Sequence, residues 1–306
     1  MPKTRCTLAL TVLVLVGGCS RGSAEPTATG ATASPVAPTA TTASSWAAPS
    51  YGPAVPGVTA LAYRARIDYA TTGQFQIRVH NTGPEPFTVS GVTLDSPGFQ
   101  RLAATPKQSE FQPGALIDLR STYGTAICGD GISPEPAYAL LDVLRPDGRS
   151  EQLRVPLPSD NNTIPGIHAE RCRAQAIAAA VTVTLVDLAV EQQNGAATVS
   201  GSLRLHRAGS TASIAVVDML GSVVLQVRPD AGTDLPVELA ASDTDLAVPI
   251  RIRQATCDPH YLAEVKTPFQ FPLWLSFDGG DKQYSEIPVT TQQKDFLQGY
   301  LGDVCQ

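Results

Sequence analysis

The sequence is short of the side chains from which catalytic and metal centres are usually assembled. Its four histidines, His80, His168, His206 and His260, lie far apart, and Met219 is the only methionine besides Met1. Copper carriers rely on clustered Met and His, so that reading is set aside. No GxSxG, SxxK, HExxH, GxxxxGK or GxGxxG pattern occurs, which removes the motif-based cases for a serine hydrolase elbow, a zinc protease and the common phosphate cradles. A triad assembled from dispersed residues would escape such a search, but the serines fall mostly in turns and near the N-terminus, away from any strained strand-to-helix elbow. Basic residues are also scarce, 22 against 28 acidic ones for a formal net charge of −6. Nucleic acid is excluded as a partner on that balance, because phosphate binding needs clustered Lys and Arg. We expect no enzyme, no cofactor, no resident metal and no nucleic-acid ligand.

Long apolar runs are missing as well. The segment LALTVLVLVGG, residues 8–18, is eleven residues long. A helix rises about 1.5 Å per residue against a hydrocarbon core of about 30 Å, so this run cannot span a bilayer. Lys3 and Arg5 give it a basic flank, and two glycines end it immediately before Cys19. Basic flank, short apolar core and small residues at a cut point are the parts of a secretory signal. With the cysteine in place, VGG-Cys19 resembles the lipobox of bacterial lipoproteins. The resemblance implies that Cys19 carries a diacylglyceryl group on its sulfur, that the chain is cleaved before it, and that the new terminus is acylated, with palmitate as a typical chain. Loss of Lys3 and Arg5 with the signal would bring the charge to about −8. Arg outnumbers Lys by 17 to 5 in a chain rich in Ala, Pro, Gly and Val; that is the residue usage of GC-rich codons and points to an actinobacterial type of source.

Between Ser20 and Pro56, 31 of 37 residues are Ala, Thr, Ser, Pro or Gly. Such a segment buries too little apolar surface to offset its ordering entropy, so residues 19–56 read as the lipidated Cys19 and a disordered tether. As a flexible coil it would reach about 35 Å.

From residue 60 onward the pattern is β, with period two. In LAYRARIDY, Leu61, Tyr63, Ala65, Ile67 and Tyr69 share one face and Arg64, Arg66 and Asp68 the other, which predicts one strand. QFQIRVH places Phe75, Ile77 and Val79 inward, and Asn81-Thr82-Gly83-Pro84 turns the chain. PFTVSGVTL changes parity after Val89, which predicts a β-bulge near Gly91. A second series follows from Ala180, VTVTL, TVSGSLRLH, SIAVVDML, SVVLQV and LAVPIRI, with Asn194-Gly195 as a hairpin turn. Eight or more short strands per half, with few helical stretches, predict antiparallel sandwiches.

The halves repeat each other. IDLRSTYGTAIC ends at Cys128 as VPIRIRQATC ends at Cys257. Each cysteine is followed by an apolar strand (AYALLDVL, FQFPLWLSF), a Gly-containing turn, another strand, and a short helix-compatible segment closing in a second cysteine, Cys172 or Cys305. Four exported cysteines allow three pairings, and the repeat selects Cys128–Cys172 and Cys257–Cys305, with separations of 44 and 48 residues. With aromatics at only 6% of residues, the cores are of moderate strength and each staple matters. The expected organisation is a signal at 1–18, a tether at 19–56, and domains at 57–173 and 174–306. The body resembles a tandem of immunoglobulin-like β-sandwich domains. The second cysteine of each pair at the end of a helix departs from the cross-core disulfide of antibody domains.

Few residues suggest chemistry. His168-Ala169-Glu170 beside Cys172 matches the HAE signature of zinc deaminases, but the Pro-Cys-x-x-Cys segment that completes such a site is missing; His168 is expected to pack beside the disulfide. Asp278-Gly279-Gly280-Asp281 and Asp243-Thr244-Asp245 fall short of a calcium loop and are read as turns. Trp274 lies on the face of FQFPLWLSF opposite Phe271, Leu273 and Leu275. Exposed, it would be a binding anchor; the favoured expectation is that the helix-like segment carrying Phe296, Leu297, Tyr300 and Leu301 covers it.

Together these features lead to an expectation of a non-enzymatic, membrane-anchored envelope lipoprotein. It would sit on the outer face of the cytoplasmic membrane through the lipid on Cys19 and act as a binding, adhesion or structural module with an envelope protein or glycan as partner. The alternative is a solute-binding lipoprotein of a transport system. A cell-wall hydrolase comes third, since no motif speaks for it.

Overall fold

The computed structural model describes residues 53–306 apart from 72, 159 and 194. The signal segment, Cys19 and almost all of the tether lie outside the described residues. The described elements all belong to the unit Ala48–Gln306.

The first half runs β1 (Val58–Tyr63), α1 (Arg66–Ala70), β2 (Gln74–Asn81), β3 (Phe87–Asp95), β4 (Thr105–Phe111), β5 (Leu116–Thr122), β6 (Tyr138–Leu144) and β7 (Ser150–Pro156). Helix α2 (Thr163–Ala180) leads into β8 (Val181–Gln193), β9 (Ala196–Arg207), β10 (Ile214–Met219), β11 (Leu225–Pro229), β12 (Val237–Leu239) and β13 (Asp245–Gln254). Helix α3 (Pro259–Glu264), β14 (Phe271–Phe277), β15 (Gln283–Ile287) and α4 (Thr291–Val304) complete the chain.

The fold is all-β and antiparallel, with each half a two-sheet sandwich. In the first half, sheet β1-β2-β5 faces sheet β4-β3-β6-β7; in the second, β8-β9-β13-β11 faces β12-β10-β14-β15. Matching β1 to β8, β2 to β9, β3 to β10, β4 to β12, β5 to β13, β6 to β14 and β7 to β15 reproduces the pairings of the first half in the second, and among the described residues β11 is the one addition. The internal repeat seen in the sequence is thus a repeat of strand order. The disulfides are Cys128–Cys172 and Cys257–Cys305.

Alternation fixes what each sheet buries. Phe75, Ile77 and Val79 of β2 are inward and inaccessible, facing Val89, Val92 and Leu141 in one core. Leu203 and Leu205 of β9, Ile250 and Ile252 of β13 and Leu273 and Leu275 of β14 fill a second. Each such side chain contributes about 1.5–3 kcal/mol relative to exposure. The bulge in β3 lies where the parity change places it, with register shifting between Val89 and Gly91 against both neighbours. A Cβ on Gly91 would stand 2.5 Å from Asp142 Oδ2, so glycine lets β6 approach there.

Three expectations are corrected. The single strand across LAYRARIDY is instead β1 followed by α1, and its phase is reversed: Ala62 is buried while Leu61 is 36% exposed. Asp68 is the cause of the break. It is wholly buried, accepting the Ala65 N–H at 2.8 Å and the Gln76 Nε2 amide at 2.9 and 3.1 Å, and an extended chain would have left it outside. Tyr63 turns outward because its hydroxyl donates to Asp118 at 2.6 Å, in a surface network closed by Arg78. The halves carry seven and eight strands among the described residues, where eight or more apiece were expected.

The third correction concerns α2, which does not stop at Cys172 but continues to Ala180, so the expected boundary at 173/174 falls inside it. The reason is local: Ala-Gln-Ala-Ile-Ala-Ala-Ala is made almost wholly of strong helix formers. Ile164 and Ile167 belong to the first core and Ile177 to the second. One helix, stapled to the first sandwich, is therefore packed into both.

Candidate functional site

Where α2 meets β15 the two sandwiches enclose a cleft of about 910 Å³, within the range of small-ligand pockets. One wall comes from the first half. The break after β1 brings Arg64 and the α1 residue Tyr69 to the rim, and the middle of α2 adds Glu170, Arg171 and Arg173. The buried Asp68–Gln76 contact holds this wall, since it is what turns the chain into α1. The opposite wall is the loop from Lys266 to Gln270, the β15 residues Tyr284 and Glu286, and Lys294 in the first turns of α4. Thr290 caps α4, accepting from Gln293 N at 3.3 Å.

The lining holds five cations and two carboxylates, in a chain that is acidic as a whole. Both carboxylates are committed to neighbours. Glu170 accepts from Arg64 Nη1 at 2.6 Å through one oxygen and from Arg171 Nη2 through the other. Glu286 Oε1 accepts from the Tyr284 hydroxyl at 3.0 Å and from the Gln270 amide. Arg173, Lys266 and Lys294 have no carboxylate partner among the described residues. The Arg64 guanidinium also lies 4.1 Å over the Tyr69 ring. The Nε atoms of Arg64 and Arg171 are buried with no acceptor among the described residues, an arrangement that costs about 1–3 kcal/mol per group.

These contacts move two titrations. Burial resists ionisation of Glu170, but the hydrogen bonds and charges of Arg64 and Arg171 outweigh it and hold the carboxyl below its ordinary range. Burial first, then the charge and hydrogen bond of Glu286 and the charge of Glu170, push the Tyr284 phenol well above its ordinary value. Glu170 belongs to one half and Tyr284 to the other, so the two walls share one electrostatic field.

The residues singled out in the sequence fall elsewhere. His168 packs as expected, its Nε2 3.0 Å from the Ile127 carbonyl and 3.6 Å from Cys172 Sγ, its ring edge-on to Phe99. Asp278 adopts a left-handed turn conformation and accepts the Ser213 N–H at 2.8 Å; the Asp243 carbonyl accepts from Arg207 Nε at 2.8 Å. Among the described residues no group of three His, Cys, Asp or Glu gathers as a metal site. Trp274 is half-buried, edge-on to Tyr284 at a ring distance of 5.8 Å. Helix α4 does not provide the expected cover: Leu297, Tyr300 and Leu301 join Leu273 and Leu275 in the core, on the face of β14 opposite the indole. Trp274 instead buttresses a cleft tyrosine from outside. The cleft cations themselves escaped the sequence reading. Their one signal was Arg-Cys-Arg at 171–173, a basic pair around a staple in an acidic chain.

No family model matches the chain, and no curated protein matches it. Among solved structures it is similar to the calcium binding domain CBD12 of CALX1.1, with 11% identity over 77% of this chain and 88% of that one and a TM-score of 0.19. A Porphyromonas gingivalis protein of unknown function gives 15% identity over 75% and 96% of the two chains, with a TM-score of 0.17. The Amycolatopsis orientalis exo-chitosanase CsxA gives 11% identity over 69% and 25%, with a TM-score of 0.18. At these scores none of them marks a shared fold.

Proposed function

We propose that this chain is an exported, lipid-anchored envelope protein that binds a ligand without transforming it, and that the cleft between its sandwiches is the seat. The observation that carries this reading is the charge balance of the cleft, where both carboxylates are engaged and three cations have no carboxylate partner among the described residues. Gathering like charges around a hollow costs self-repulsion, reduced here by solvent because Arg173, Lys266 and Lys294 are all exposed. Two disulfides support an oxidising compartment. The lipobox-like VGG-Cys19 and the tether behind it support attachment to the outer face of the cytoplasmic membrane.

Capture of a solute for a transporter is the second reading, favoured by the contribution of both lobes to the cleft. Helix α2 weighs against a hinge-closing receptor, because it is stapled to one lobe and buried in the core of the other.

The anchor is tested in cells grown with a labelled fatty acid. The intact chain is expected to take up label and to fractionate with membranes, and Cys19→Ala to lose both properties. Label retained in Cys19→Ala, or an unlabelled soluble wild type, would overturn the reading.

A further inference from the structure

Resting on the cleft as ligand seat, we infer that its ligand is a small acidic sugar, bearing a carboxylate or a phosphate, and that Glu170 is a resident counter-ion competing for the same guanidinium groups. Glu170 divides its two oxygens between Arg64 and Arg171, so each arginine gives it one terminal nitrogen and neither is held in the two-point manner a guanidinium favours. Arg171 remains 28% exposed. An oxyanion entering the cleft therefore meets a guanidinium that is only partly occupied, together with Arg173, Lys266 and Lys294.

The rest of the lining limits the scaffold. Tyr69, 57% exposed with the Arg64 guanidinium over one face of its ring, and Phe269 and Tyr284 on the far wall bring aromatic rings beside the cations, which suits a ring-shaped ligand with an acid at its edge. A long polyanion does not fit, since three uncompensated cations are set in a chain of net charge −6 that would repel its remainder. The two acid types share their chemistry toward arginine and lysine, and the probes below separate them.

The test is calorimetric titration of the full mature chain in detergent with glucuronate, glucose 6-phosphate and neutral glucose. At least one acid is expected to bind, more weakly as salt is raised, with glucose giving no heat. Arg173→Gln with Lys294→Gln removes two exposed cations that no carboxylate among the described residues holds, so the fold is expected to be retained; acid binding should fall about tenfold. Glu170→Gln should tighten it several-fold, an outcome that a purely structural Glu170 would not produce; circular dichroism of that variant checks that it is folded. Glucose binding as well as the acids, no binding of either acid, or binding indifferent to the Arg173/Lys294 pair would each overturn the inference. The fatty-acid labelling of Cys19 is independent of all of these, so the anchor reading can stand or fall separately.

Discussion

Opening the Cys128–Cys172 bridge by a double change to serine should separate the stabilities of the two sandwiches. The bridge closes 44 residues, and a loop of that size constrains the unfolded chain by about 4 kcal/mol. With a urea dependence of about 2 kcal/mol per molar for a domain of this size, the midpoint of the first sandwich should drop by about 2 M. The second sandwich should feel less, because its own bridge closes 48 residues and, among the described residues, its core draws only Ile177 from α2. Trp274 on β14 reports on the second half alone once Trp46 is replaced by Phe, while far-ultraviolet circular dichroism reports on both. The expected pattern is a large shift in the first circular-dichroism transition with a small shift in Trp274 fluorescence, reversed when Cys257 and Cys305 are changed instead. Equal shifts of Trp274 fluorescence from the two bridges would refute the argument that the cores are separate. No shift from either would refute the loop argument itself.

Further outcomes follow from single contacts. Asp68→Ala strands the Gln76 amide and the Ala65 N–H in a buried site and should cost about 3 kcal/mol in thermal or urea unfolding; a loss below half of that would mean the site rehydrates. Leu203→Ala, at a fully buried position of β9, should cost about 3 kcal/mol and move only the Trp274-reported transition. The folded-state value of Glu170 lies below its unfolded one, so its stabilisation is present above about pH 4.3 and is lost as pH falls through the folded value. Glu170→Gln should accordingly flatten the acid limb of the stability curve. Tyr284 is shifted the other way, so its contribution holds below about pH 10 and is lost as pH rises; Tyr63 and Tyr300 are also raised, but less, so phenolate absorbance should lose its last-ionising step in Tyr284→Phe and keep the earlier ones.

How much of this was legible depended on whether the governing contact was local or repeated. The disulfide pairing and the internal repeat could be read because two halves carried the same punctuation, and the bulge at Gly91 because a parity change must be absorbed somewhere; the order of strands within the sheets could not. The phase of β1 could not. The larger side chains Leu61 and Tyr63 face out and the small Ala62 faces in, an inversion maintained by Asp118 and Arg78, which lie far along the sequence. Helix α1 was hidden for a different reason: Asp68 is satisfied by Gln76 at the start of the next strand, only eight residues on, and side-chain alternation carries no sign of that contact. The extension of α2 was legible in its alanines, but ending the segment at the cysteine concealed it. The cleft had no sequence signature, because its cations come from four separate segments that only the packing of α2 against β15 assembles.

The central claim, that both sandwiches build one binding seat, is tested most directly by amide hydrogen exchange on the full mature chain with and without saturating acidic sugar. The account predicts slowed exchange together in 64–70 and 168–174 on one wall and in 266–270 and 284–294 on the other. Protection confined to one sandwich, or lying outside these four segments, would contradict it.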